Sequence, residues 1–268
     1  MKGFSLVEVL IAMAITVGVG AIVFQLFHQN ERLFLDETVR EEMQQTARMV
    51  ISQVGDDIRI AGQGIPPALG DVILPGSNGQ RLNLRAGFSA TESLITTPPP
   101  ITVVVGSPIT LKVQSTSGFS AGKQVLLWNT DCWLRATVSS VSGSALSLSL
   151  LPTAGSAPTV QFGTAPVIGL DEAVALYFDN TTHSVRRTTS SNTTNLANPP
   201  WAPANDVGTN VTRLDFLYFD AQGNALTAST PQSRAAISSI EARVGVRAAS
   251  QPETSLYLRV YPRNLQYR

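Results

Sequence analysis

One acidic residue, Glu8, interrupts an otherwise apolar stretch that runs from Phe4 to Phe27. At about 1.5 Å per residue, a helix over this stretch is long enough to cross a lipid bilayer. A carboxylate inside the bilayer costs roughly 2.5 to 3.5 kcal/mol on insertion scales, and such residues usually have a function. Glu8 therefore needs a cation that neutralises its charge.

Two simpler interpretations of the apolar stretch are weaker. A secretory signal peptide is one, since Ala12-Met13-Ala14 has the A-x-A pattern of a cleavage site. That pattern lies in the middle of the apolar run, whereas signal peptidase cuts after such a run, and Lys2 is the only basic residue before it. A plain single-span anchor is the other, and it explains the hydrophobicity but gives Glu8 no role.

The segment from Lys2 to Ala12 (KGFSLVEVLIA) resembles the class III signal of type IV prepilins and pseudopilins. The resemblance implies that a membrane peptidase cuts after Gly3 and that the new terminal residue, Phe4, is N-methylated. It also implies that Glu8, five residues into the mature chain, pairs with the terminal ammonium of a neighbouring subunit in a filament. This fits the cost of the buried acid, because a buried charge is tolerated when it is paired.

Composition limits the function further. The 268 residues suffice for one large domain or two small ones. The 19 basic residues balance the 19 acidic ones, so no net field favours nucleic acid or an anionic membrane surface. Cys132 is the only cysteine, which excludes an intrachain disulfide, and we expect it to be a small buried residue beside Trp133.

The segment after the apolar stretch predicts a second half of the same helix. Eight apolar residues recur every three or four positions and so share one face: Leu35, Val39, Met43, Ala47, Val50, Val54, Ile58 and Ala61. No proline lies between Phe4 and Ala61, which predicts one helix of about 58 residues ending at the following glycines and prolines. A coiled coil is the rival interpretation, but the stripe spans barely four heptads and lacks a clean a/d pattern.

Beyond Gly62 the helical periodicity gives way to short β-rich runs separated by turn-forming residues. Eleven strands are predicted: Ser93 to Thr97, Ile101 to Val105, Ile109 to Gln114, Gln124 to Trp128, Leu134 to Val141, Ala145 to Leu150, Ala173 to Phe178, Ser184 to Thr188, Val211 to Phe219, Ile237 to Val246 and Thr254 to Tyr261. Turn-forming residues after Asp179 and Asp220 predict two hairpins, and Ser190 to Asn205 predicts a long loop.

Together these patterns predict an α+β fold in which a long N-terminal helix packs on a mainly antiparallel β domain. We expect a leader peptide at 1–3, a transmembrane half of the helix at 4–28, an amphipathic half at 29–62 and a β-rich globular domain at 63–268.

Residues that could form a catalytic or metal site fit such roles poorly. Gly118 to Gly122 matches G-x-S-x-G around Ser120, but a strand is predicted next, whereas a nucleophile elbow leads into a helix. The two histidines, His28 and His183, are too few for a three-histidine zinc site. Four aspartates lack the spacing of a calcium loop and are interpreted as turn caps: Asp179, Asp206, Asp215 and Asp220. We therefore predict no catalytic residue, no metal and no cofactor.

The remaining charges of the helix are interpreted as surface residues. The pairs Glu41-Glu42 and Asp56-Asp57 predict a solvated helix face. Arg59 either caps the C-terminal end of the helix or pairs with Asp56.

Three further segments resemble the PilW-type minor pilins: Asp56 to Gly62, Val211 to Asn224, and Tyr261 to Leu265. The Asp-Ile-Arg-x-Ala-Gly sequence favours this group over the J-type pseudopilins of type II secretion systems. The resemblance implies a non-enzymatic subunit that joins other minor pilins and the major pilin and helps to prime or cap filament assembly. The prepilin peptidase would be a further partner, and nucleic acid would not be one.

The same resemblance implies a single-pass protein of the inner membrane with a periplasmic C-terminal domain, which later moves to the filament tip. Lys2, as the only basic residue before the span, agrees with this orientation. Leu69 to Pro166 resembles nothing in the family. Three alternatives stay open: a J-type pseudopilin, an adhesin or binding module that uses this unplaced segment, and a membrane-tethered hydrolase that uses Ser120.

Overall fold

The computed structural model describes residues 6–66, 69, 72–130, 132–151, 159–248 and 252–262. Helix α1 spans Leu6–Ile60 and confirms the prediction of one continuous helix. It ends where Gly62 and Gly64 adopt φ angles of 84° and 70°, a left-handed region that favours glycine.

Among the residues that the structure describes, the second half of α1 packs on the rest of the chain and the first half does not. The side chains of Met43, Ala47, Val50, Val54 and Ile58 are buried, as the apolar stripe predicts. The stripe packs less far than predicted, because Val39 is half-buried and Leu35 is 57% exposed. The β domain therefore begins to cover the helix near Val39.

In the described ranges, sixteen strands and a short second helix follow α1. Helix α2 spans Pro231–Ala236. The strands are β1 Arg81–Ala86, β2 Glu92–Leu94, β3 Ile101–Val104, β4 Pro108–Lys112, β5 Gln124–Trp128, β6 Trp133–Ser142, β7 Ala145–Leu150, β8 Thr159–Phe162, β9 Val167–Leu170, β10 Glu172–Asp179, β11 Ser184–Ser190, β12 Asn205–Gly208, β13 Val211–Phe219, β14 Ala225–Leu226, β15 Ser239–Val246 and β16 Thr254–Val260. All eleven predicted strands occur, whereas β1, β8, β9, β12 and β14 were not predicted.

Two four-stranded antiparallel sheets pack with α1 and form what we term the head. Their strand orders are β1-β10-β11-β12 and β14-β13-β15-β16. One continuous apolar core joins both sheets to the helix. Two glycines allow close approach: a Cβ on Gly55 would strike Leu258 of β16, and a Cβ on Gly208 of β12 would strike Val50.

A second unit, the barrel insert (residues 87–171), lies between the paired strands β1 and β10 of the head. Its six-stranded antiparallel sheet has the order β2-β9-β5-β6-β7-β4. The two outer strands meet, since Ile95 bridges to Val113 and the Gln114 amide donates to the Leu94 carbonyl, so the sheet closes into a barrel. The ribbon β3-β8 packs on the same interior, which is a separate apolar core. The described residues of the β-rich part therefore form two cores.

Both predicted hairpins are confirmed, as β10 pairs with β11 and β13 with β14. The carboxylate of Asp179 accepts a hydrogen bond from the Thr181 amide and thereby has a lowered pKa. Asp220 caps the other turn, where hydrogen bonds from the Asn224 side chain and backbone lower its pKa. The prediction that Asp206 and Asp215 cap turns is wrong, because both lie within strands, β12 and β13.

Candidate functional site at the exposed apolar helix

The apolar half of α1 projects from the head with its described side chains exposed. Among the described residues, α1 is the one helix long and apolar enough to cross a membrane, with a mean hydropathy of 2.5 over its most apolar window and none of that window buried. Exposed large side chains run from Leu6 to Phe27 around the helix. A helix that is apolar on all sides and unpacked needs lipid or other helices around it.

Glu8 lies in the first turn of this exposed segment, and its side chain is exposed as well. It forms no ion pair within the described part of the chain. Every other position from Leu6 to Phe27 is uncharged, so this segment itself contains no cation for Glu8. Its position in the first turn is favourable for a negative charge, because the N-terminal end of a helix carries a partial positive charge. Gly3 and Phe4 lie outside the described residues, so cleavage and methylation there stay predictions.

The apolar segment changes to polar surface at His28. The Phe24 and His28 rings meet edge to face with centroids 4.5 Å apart, and His28 Nδ1 lies 3.5 Å from Glu31 Oε2. Charged residues are frequent from Glu31 onward, and Glu41 and Glu42 are exposed as predicted. The division of the helix into a transmembrane half at 4–28 and an amphipathic half at 29–62 stays a prediction.

An ion pair that was not predicted from the sequence joins α1 to the head. Asp57 is buried and accepts two hydrogen bonds from Arg187 of β11, at 2.8 Å from Nε and 3.1 Å from Nη2. The prediction that Asp57 belongs to a solvated face is therefore wrong. Asp56 is exposed and pairs with Arg59 at 2.7 Å, which confirms one of the two roles expected for that arginine. The sequence contained one signal of this burial: Asp57 lies three residues after Val54 and so shares the face of the buried stripe.

A second buried ion pair lies at the neck of the barrel insert, which is the place where the chain leaves β1 and returns to β10. Arg85, the residue before the last of β1, donates to both carboxylate oxygens of Asp171 at 2.6 Å, and both side chains are fully buried. Asp171 also accepts from the Thr193 hydroxyl at 2.5 Å. Arg135 of β6 donates to the Thr193 carbonyl at 2.7 Å and lies 3.4 Å from Asp171. The carboxylate of Asp171 thus contacts side chains from β1, from the barrel insert and from the loop after β11.

Residues considered for catalysis lie in different parts of the fold. Ser120 is in an exposed loop between β4 and β5, and the segment that follows is a strand, as predicted. His183 lies in the β10–β11 turn of the head with a φ of 49°. Cys132 is only partly buried and packs at the edge of the barrel core. Among the described residues, no cluster of three or more His, Cys, Asp or Glu side chains could hold a metal ion.

Comparison with known proteins gives one partial match. A stretch of 61 residues is 43% identical to the pilin-like protein PilA3 of Thermus thermophilus. The match covers 23% of this chain and 26% of that protein, so the chain spans about a quarter of the relative's length. No family model matches the chain, and no solved structure matches it. The match supports a pilin-like relationship over this stretch.

Proposed function

We propose that this chain is a minor pilin of the PilW-like kind that is anchored in the inner membrane and helps to prime or cap a type IV filament. The observation that carries the proposal is the half of α1 that projects unpacked from the head and is apolar apart from Glu8. Lipid surrounds such a segment before assembly, and the helices of other subunits surround it afterwards. The partial match to a pilin-like protein supports the same role.

Glu8 provides the specificity of assembly in this proposal. The prepilin peptidase cuts after Gly3, and Phe4 then carries a methylated terminal ammonium. A neighbouring subunit's ammonium pairs with Glu8 when the chain enters the filament. The intact mass of the membrane-extracted protein tests this step: loss of Met1 to Gly3 with one added methyl group is expected, and retention of these residues or cleavage near Ala14 would contradict it.

The priming role is tested by deletion of the chain from its host, with filament retraction disabled where the system retracts. A subunit that initiates a polymer is needed in few copies, so surface filaments should fall sharply while the pool of major pilin in the inner membrane persists. Filaments counted by electron microscopy give the readout. Normal counts would defeat the priming role.

A second candidate function, an adhesin or binding module carried on a pilin stem, is favoured by the barrel insert. This unit has its own core and enters and leaves the head at adjacent strands, so it is an addition to the head. Its charged residues are few: Glu92, Lys112, Lys123, Asp131, Arg135 and Asp171. An adhesin predicts normal filament counts with lost attachment in the deletion strain, which separates it from a priming subunit. A J-type pseudopilin would instead require secretion genes beside this one.

A further inference from the structure

Sheet edges differ in how they are protected within the described part of the chain. The outer edge of β1 is covered, because the Leu74 amide donates to the Asn83 carbonyl and the Arg85 amide to the Val72 carbonyl. The edge strands β12 and β14 have four and two residues, and the pairing of β11 with β12 is interrupted by a register shift. The barrel closes on itself, and its ribbon strands β3 and β8 have four residues each.

Strand β16 is the exception among these edges. It has seven residues, pairs with β15 in unbroken register and contains no proline or bulge. No backbone hydrogen bond joins its outer edge to another described residue. Long open edges of this kind are templates for pairing with another chain, and soluble proteins usually shorten, cover or charge them.

The exposed face of β16 offers side chains suited to a partner. Tyr257 is 76% exposed and lines a groove of about 420 Å³ with Arg213, Glu241, Arg243, Ser255 and Leu256. Arg213 and Arg243 are neutralised within the chain by Glu253 and Glu241, at 3.1 and 2.7 Å. Arg259 instead lies 4.0 Å above the Phe219 ring and donates to the Ser239 hydroxyl, with no carboxylate in ion-pair contact among the described residues.

From these features we infer that β16 accepts an edge strand of a different membrane-anchored pilin-type subunit, with an acidic residue opposite Arg259 and an apolar residue beside Tyr257. Main-chain hydrogen bonds would extend the sheet by one strand, and the alternating side chains would select the partner. The charge requirement follows from Arg259, which has no carboxylate in ion-pair contact within the part of the chain that the structure describes. This inference rests on the proposed function, because it requires a partner in the same membrane.

A second copy of this chain does not fit the edge. Antiparallel pairing of two β16 strands requires a two-fold axis perpendicular to the sheet. Because α1 packs on a face of that sheet, the axis would point the two helices in opposite directions, which two chains anchored in one membrane cannot adopt. Parallel pairing in register would place Arg259 beside the other copy's Arg259, and like charges directly opposite are unfavourable.

Photo-crosslinking of the full chain in its native membranes tests the inference. A benzoylphenylalanine replaces Tyr257 in one variant, and Leu217 in the matched control, which lies on β13 two strands inward and is 36% exposed. We expect the variant at 257, but not the variant at 217, to form an adduct. The crosslinked partner should be a protein with its own prepilin-type N-terminus, and the crosslink should lie in an extended segment of that protein. The Arg259→Glu substitution should abolish this adduct, and changing the partner's acidic residue to Arg should restore it.

Three results would overturn the inference: equal adducts at 257 and 217, an adduct with a second copy of this chain, or an adduct that Arg259→Glu leaves unchanged. An adduct with a protein of another class would overturn it as well. The proposed function fails separately, when Phe4 is not processed or when Glu8 is dispensable for assembly. A processed chain that assembles through Glu8 but forms no adduct at 257 would refute only the edge inference.

Discussion

Arg85 and Asp171 are 86 positions apart in the sequence and form a fully buried, two-hydrogen-bond ion pair at the two ends of the barrel insert. Ala86 and Glu172, the neighbouring residues, face each other as partners in β1 and β10. The chain therefore leaves the head, builds a barrel and returns to the adjacent strand position. The ion pair joins the two chain segments at this neck, where Arg135 and Thr193 also reach Asp171.

Removing the carboxylate of Asp171 should destabilise the protein strongly. Asp171→Ala leaves the buried Arg85 guanidinium without its counter-charge, and breaking one partner of a buried pair typically costs about 3 to 5 kcal/mol. The measurement is urea unfolding of a fragment that begins at Gln29, which we expect to be soluble because it lacks the apolar half of α1. The double variant Arg85→Met/Asp171→Leu should lose much less stability. Equal losses in the single and double variants would contradict the pairing argument.

The Asp57 and Arg187 pair should stabilise the contact between α1 and the head. Asp57→Ala removes two hydrogen bonds to a charged group, and such a bond contributes about 1.5 to 3 kcal/mol. The net loss is smaller than their sum, because Arg187 is partly exposed and regains some hydration. We expect a loss of roughly 2 kcal/mol in unfolding free energy. Asp56→Ala is the matched control, since Asp56 is exposed, and it should change stability by less than about 0.5 kcal/mol. Similar losses in both variants would show that burial of Asp57 does not matter.

The helix was predictable because its signal is local. The absence of proline between Phe4 and Ala61 and the three- or four-residue spacing from Leu35 to Ala61 predicted its extent within a few residues. Strand β13 was predicted with the correct bounds for a similar reason, as Val211 to Phe219 combines β-branched and aromatic residues before a turn.

The features that were missed depend on partners distant in the sequence. Strand β1 (RLNLRA) contains two arginines, and its Arg85 is buried only because Asp171 provides a counter-charge. Asp57 resembles its solvated neighbour Asp56 until Arg187 is placed opposite it. Closure of the barrel through Ile95 and Val113 likewise cannot be inferred from a local pattern. It joins β2 and β4, which are the two outer strands of the six-stranded sheet.

Excision of the barrel insert should leave a folded head. Residues 87–171 are replaced by a short Gly-containing turn between the facing residues Ala86 and Glu172, and Arg85→Met removes the arginine that would otherwise be buried without Asp171. Circular dichroism of the Gln29 fragment should retain cooperative unfolding, because the head has its own core. In the host, normal filament counts with lost attachment would assign adhesion to the barrel insert. Loss of cooperative unfolding would contradict the independence of the two cores.

In the proposed function Glu8 directs this chain into a filament, and recruitment of the Glu8→Ala variant tests this role. Membrane insertion should be unchanged or improved, because the substitution removes a polar cost inside the bilayer. Glu31→Ala is the matched control, since Glu31 is an exposed acid of the same helix beyond the apolar segment. The amount of each variant in sheared filaments, relative to its amount in the membrane, is measured by immunoblot. Glu8→Ala should be lost from filaments while Glu31→Ala is recovered at the normal level. Recruitment of Glu8→Ala at the wild-type level would rule out the role of Glu8 in assembly.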